Sequence, residues 1–104
     1  MISIDTIRSC IIPVVEKYPV FKVILIGSYA RGDATDESDI DLIIDSDGKL
    51  RNRKIFALGG DLLEVLPVRF DVYDILEIPD PSTMFENILK DGVVIYESAG
   101  QGTY

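Results

Sequence analysis

A chain of 104 residues holds one domain, and its 47% hydrophobic and 27% charged residues are the balance of a globular protein, not a disordered one. Its net charge of −8 disfavours bare nucleic acid as a partner, because phosphate backbones are held by surplus Lys and Arg. The longest apolar runs, 23–26 and 42–44, are too short to span a membrane, no basic leader follows Met1, and lone Cys10 has no partner for an internal disulfide, so a reducing cytoplasm is expected.

Ile4, Ile7, Ile11, Val14 and Val15 recur at spacings of three and four, which predicts a first helix capped by Ser3. Pro13 removes a backbone donor, so a kink or early stop is expected there. Residues 21–26 (FKVILI) read as a buried strand bounded by Gly27, 28–31 as one helical turn, and 32–38 as a polar loop. Residues 39–45 (DIDLIID) form a second strand and 46–48 a turn. Leu50, Ile55, Leu58, Leu62 and Leu66 space a helix over 50–66, which Gly59 and Gly60 weaken and threaten to divide. Residues 68–74 (VRFDVYD) alternate as a third strand. Beyond Pro79 and Pro81, Ser82 is the expected cap of a helix with apolar Met84, Phe85, Ile88 and Leu89, stopped by Gly92. Residues 93–96 close the list of strands, and 98–104 are expected to be flexible. This order predicts an α/β (α+β) fold over 1–104, a small mixed β-sheet backed by helices on one face.

Strand alternation puts Asp39 and Asp41 on one face and Ile40, Leu42 and Ile44 on the other. It likewise separates Arg69, Asp71 and Tyr73 from Val68, Phe70 and Val72. If the second and third strands are neighbours, Asp71 stands beside Asp39 and Asp41. Such clustering is costly unless cations neutralise it, and Mg2+ takes hard oxygen ligands of this kind. An Asp-x-Asp on a polar face is by itself most simply solvated. Gly27-Ser28 permits close backbone approach and offers donors to phosphate oxygens, yet alone it is an ordinary strand-to-helix turn. Arg31 reaches either a phosphate or Asp33 and Asp36. Cys10 reads as a buried core thiol, Tyr29, Tyr73 and Tyr96 as packing residues, and Arg51, Arg53 and Lys54 as a solvated helix start.

The combination is more specific than its parts. Gly27-Ser28, ten residues (29–38), Asp39-x-Asp41 and then Asp71 on a later strand resembles the signature of the DNA polymerase beta nucleotidyltransferase superfamily. More closely, GSYARGDATDESDIDLIID resembles the minimal nucleotidyltransferases of prokaryotes, a likeness that extends to the ending FENILKDGVVIYE. The resemblance implies a nucleotidyltransferase fold in which Gly27 and Ser28, with Arg31 as a candidate, hold the triphosphate of ATP. It implies that Asp39, Asp41 and Asp71 coordinate two Mg2+ ions, Asp71 also assisting removal of the acceptor proton. Relatives of this type are paired with HEPN-domain toxins, so the leading expectation is an antitoxin that transfers AMP to a hydroxyl, a tyrosine, of such a partner. A binding module that neutralises its partner by docking alone is the alternative. A small-molecule (antibiotic) nucleotidyltransferase ranks below both. The acceptor, the base preference, the number of nucleotides transferred and the oligomeric state are not legible in the sequence.

Overall fold

The computed structural model describes residues 2–50, 53–78 and 81–98. In chain order the elements are α1 (Ile4–Val15), β1 (Lys22–Ile26), α2 (Ser28–Arg31), β2 (Ile40–Asp45), α3 (Arg53–Val65), β3 (Phe70–Asp74), a 3-10 turn (Ile75–Glu77), α4 (Pro81–Asp91) and β4 (Val93–Glu97). The sheet order is β3-β2-β1-β4. β1 pairs antiparallel with both β2 and β4, while β2 and β3 run parallel. A parallel pair needs a crossover, and α3 supplies it.

α1 and α3 cover one face. Ile7, Ile11 and Val15 of α1 and Leu58 and Leu62 of α3 pack on Val23, Leu25, Ile40, Leu42 and Ile44. Full burial of each such side chain is worth about 1.5–3 kcal/mol, so this layer dominates the stability. The opposite face is also covered: Ile24, Ile26 and Ile43 pack against Ile75, Ile78 and Ile88. Helices therefore flank both faces, unlike the one-sided expectation. The cause lies in the near-continuous apolar runs of β1 and β2, which present isoleucines on each side and need two covers.

Local predictions differ from the structure at three points. Pro13 sits inside α1, which runs on to Val15 and closes with Lys17 N–H donating to the Val14 carbonyl at 3.1 Å. The proline ring and Ser9, whose carbonyl loses its donor, are both exposed, so water takes up the deficit. α3 is continuous through Gly59 and Gly60. Leu58 and Leu62 lie one turn apart on its buried side, and their burial exceeds the roughly 1 kcal/mol that each glycine costs a helix. α4 begins at Pro81, so Ser82 lies inside the helix instead of capping it; proline suits a first turn whose amides have no intrahelical acceptor. Gly92 does end α4, its N–H donating to the Ile88 carbonyl at 3.0 Å. The side chains of Met84, Phe85 and Leu89, and most of the predicted flexible tail (99–104), lie outside the described residues. Ser98 is tied to the residue just ahead of β1, its N–H donating to the Phe21 carbonyl at 2.7 Å.

Cys10 is half-buried against the core, not fully enclosed. Among the described residues, no helix is long and apolar enough to cross a membrane.

Candidate nucleotidyl-transfer site

Strand pairing gathers residues that are far apart in sequence. In the parallel pair, Asp41 of β2 and Asp71 of β3 are register partners, and both leave the face on which Leu42 and Val72 meet the core. In the antiparallel pair, Asp41 stands opposite Ile26, which brings Gly27 past the end of β1 against the same carboxylate. Gly27 has φ 80 and ψ −157, a conformation essentially reserved for glycine. A Cβ at this position would lie 2.6 Å from Asp41 Oδ2. The glycine is thus required twice, for the turn and for room beside the acid.

That turn opens α2. The Arg31 N–H donates to the Gly27 carbonyl at 3.0 Å, and Gly32, left-handed at φ 86, closes the turn with its N–H on the Ser28 carbonyl at 3.0 Å. The first amides of such a turn have no acceptor within it, so with Ser28 they form a group of donors beside Asp41. Tyr29 is buried in the main core cluster, as expected. The Arg31 guanidinium is exposed and pairs with Asp33, Nε to Oδ2, at 3.3 Å.

The carboxylates repel one another. Burial pushes the Asp41 carboxyl above its ordinary value, and the charges of Asp71 and Asp39 push it further, with Arg31 offsetting only part. Asp39, one residue ahead of β2, has Arg69 Nε 3.1 Å from its Oδ1. The contact is off the hydrogen-bonding direction, so that buried oxygen accepts no hydrogen bond among the described residues. Tyr73, 38% exposed, lies on the same face, opposite Ile43. Its phenol is pushed up by partial burial first and then by Asp71, Asp41 and Asp39. It is not the packing residue the sequence suggested, whereas Tyr96 does pack on the core.

Among the described residues, no three acidic or other metal-ligating side chains converge tightly enough to form a ready cation site. Asp41 and Asp71 are in register, but Asp39 is drawn to Arg69. The donor set nonetheless suits Mg2+: hard oxygens, an Asp41 raised by burial and then by its acidic neighbours, and an orphaned buried oxygen on Asp39. Arg69 is largely exposed, and such a pair is worth at most about 1 kcal/mol, little enough for a divalent ion to displace. Strand alternation places Arg69 on the acidic face but does not reveal its pairing with Asp39. Its position one residue outside the strand containing Asp71 was the available signal.

Comparison with known proteins bears on the fold and chemistry. The family model "Polymerase beta, Nucleotidyltransferase" matches residues 10–101. A candidate protein adenylyltransferase of Methanocaldococcus jannaschii is 69% identical over 84 residues, covering 72% of this chain and 77% of that protein. A second from the same organism is 35% identical over 66 residues, covering 64% of this chain and 67% of its own. Among solved structures, a toxin–antitoxin complex with AMP-PNP aligns with a TM-score of 0.73 at 20% identity, over 88% of this chain and 74% of that one. The complex of tri-AMPylated Shewanella oneidensis HEPN toxin with MNT antitoxin aligns at 0.68 and 18% identity, over 91% and 73% of the two chains.

Proposed function

The chain belongs to the polymerase beta nucleotidyltransferase family, and from that premise we propose that it transfers AMP from ATP to a tyrosine hydroxyl of a HEPN-domain toxin, acting as its antitoxin in the cytoplasm. The observation that carries this reading is the contact of the Gly27 turn with Asp41, in register with Asp71. The turn whose amides would hold phosphate thus abuts one carboxylate and, through the strand register, neighbours a second. The likeness to proteins named as adenylyltransferases supports AMP as the transferred group, and the fold shared with chains of toxin–antitoxin complexes supports a toxin as the partner.

In this mechanism Gly27, Ser28 and the amides of α2 hold the β- and γ-phosphates, with Arg31 free to leave Asp33 for a phosphate oxygen. Asp39 and Asp41, with Asp71, would hold two Mg2+ ions, which when bound offset the charge that develops on the phosphoryl oxygens. Asp71, on the edge strand, faces the acceptor and takes the proton of its hydroxyl. The acceptor oxygen bonds to the α-phosphorus, the bond from that phosphorus to the bridging oxygen of the β-phosphate breaks, and pyrophosphate leaves. The attached AMP adds bulk and negative charge to the toxin, which opposes RNA entry.

The test is label transfer from α-labelled ATP with Mg2+ to the HEPN-domain protein of the same genome. Label on tyrosine is expected, and its loss in Asp41→Asn. A wild-type chain that transfers nothing sinks the proposal. Toxin neutralisation in cells that survives Asp39→Asn and Asp41→Asn would favour docking alone.

A further inference from the structure

The outer side of α3 and the edge strand β3 enclose an apolar groove. One cavity of about 390 Å³ is lined by Ile55, Phe56, Gly59, Gly60, Leu63 and Phe70, with Asp71 and Val72. A second, of about 300 Å³, shares Ile55, Phe56 and Val72 with it and extends to Asp74, Glu77 and Ile78. Phe56 and Leu63 on its rim are 77% and 71% exposed, unusually open for large apolar side chains.

Two further observations point to an occupant. Gly59 and Gly60 are helical glycines at which an added Cβ would meet nothing within 4 Å among the described residues. The described residues therefore give no packing reason for two helix-weakening residues, but these keep the groove open for a neighbouring backbone. Asp74, only 4% exposed, lines the second cavity. Its Oδ1 accepts the Leu76 N–H at 2.9 Å, while its buried Oδ2 accepts no hydrogen bond among the described residues. A buried carboxylate oxygen without a donor is costly, and a donor carried in by an occupant would relieve it.

We infer that this groove docks the protein acceptor, through a segment that places an apolar side chain between Phe56 and Leu63 and a lysine or arginine at Asp74. The inference rests on the adenylyltransferase reading. Asp71 belongs both to the groove's wall and to the carboxylate face, so the two sites are separated by one edge strand. An acceptor anchored here reaches the α-phosphate by passing around β3. The net charge of −8 opposes a second copy as the occupant and favours a basic protein.

The experiment uses the HEPN-domain protein of the same genome with wild type, Phe56→Asp, Leu63→Asp and the double variant Gly59→Ala/Gly60→Ala. The aspartate variants change exposed side chains, and the alanine variant strengthens its helix, so misfolding does not account for a defect. Each is expected to weaken acceptor binding and raise the acceptor KM by about tenfold or more, with ATP affinity unchanged. The alanine double variant is expected to do so while melting higher than wild type. Equal binding and transfer by all variants overturns the groove and leaves the enzyme reading standing. Wild type that binds in a Phe56-dependent way without transferring AMP supports the groove and overturns the enzyme reading. No binding by wild type, or a free chain that dimerises until Phe56→Asp makes it monomeric, overturns the acceptor as occupant.

Discussion

Gly27 is where backbone geometry and chemistry constrain each other most tightly. Its positive φ and the 2.6 Å from a would-be Cβ to Asp41 Oδ2 act together, so Gly27→Ala strains the turn and displaces the acid. We expect a loss of about 1–3 kcal/mol in a denaturant melt together with loss of ATP binding by titration calorimetry; intact binding would separate the turn from the nucleotide. Asp41 makes the opposite trade. Its carboxyl titrates above the ordinary range, so the folded chain holds that proton more tightly than the unfolded chain. The group's contribution to stability therefore falls as pH rises from the ordinary aspartate range through the raised folded value, and the full penalty persists above it. Asp41→Asn is expected to melt a few degrees higher than wild type at neutral pH without Mg2+. The gap should close in acid, where both side chains are neutral. A variant no more stable than wild type at neutral pH would mean the repulsion is already relieved within the chain. The Gly-Ser and Asp-x-Asp spacing made these residues legible in the sequence. The Arg69–Asp39 pair was not, because it depends on a parallel register between strands joined through a whole helix.

Elements were legible to the degree that their patterns were local. β3 alternates cleanly, and alternation assigned its faces correctly. β1 and β2 are apolar on both sides, and periodicity alone could not say that α4 and the 3-10 turn would cover the second face. In α3 the two glycines are local breakers, but the decisive effect is the non-local burial of Leu58 and Leu62. A second non-local tie holds the same helix: the Tyr18 hydroxyl donates to Asp61 Oδ2 at 2.5 Å, joining the segment after α1 to α3. That bond first, then burial and the Asp61 charge, pushes the phenol above its ordinary value. The bond thus stabilises the fold at neutral pH and is lost only as pH rises through the raised phenol value. Tyr18→Phe should cost about 1 kcal/mol in a urea melt at neutral pH. No difference there would show that water replaces the bond without penalty.

At the scale of the whole molecule, charge governs encounter more than shape. A surplus of eight negative charges opposes self-association and would attract the proposed basic partner over distances set by the salt. The Debye length shrinks from about 10 Å at 0.1 M to about 3 Å at 1 M, which removes long-range attraction but not the apolar contacts of a docked groove. The two parts of the proposed acceptor recognition should therefore separate kinetically. Raising salt over that range is expected to slow association with the HEPN-domain protein by about tenfold or more, with a much smaller effect on dissociation. Leu63→Asp should do the reverse, speeding dissociation in stopped-flow records while leaving the steered encounter largely intact, since it adds only one more negative charge to an acidic surface. Association that is indifferent to salt would mean that the acidity serves solubility alone, and that apolar contacts select the acceptor without electrostatic help.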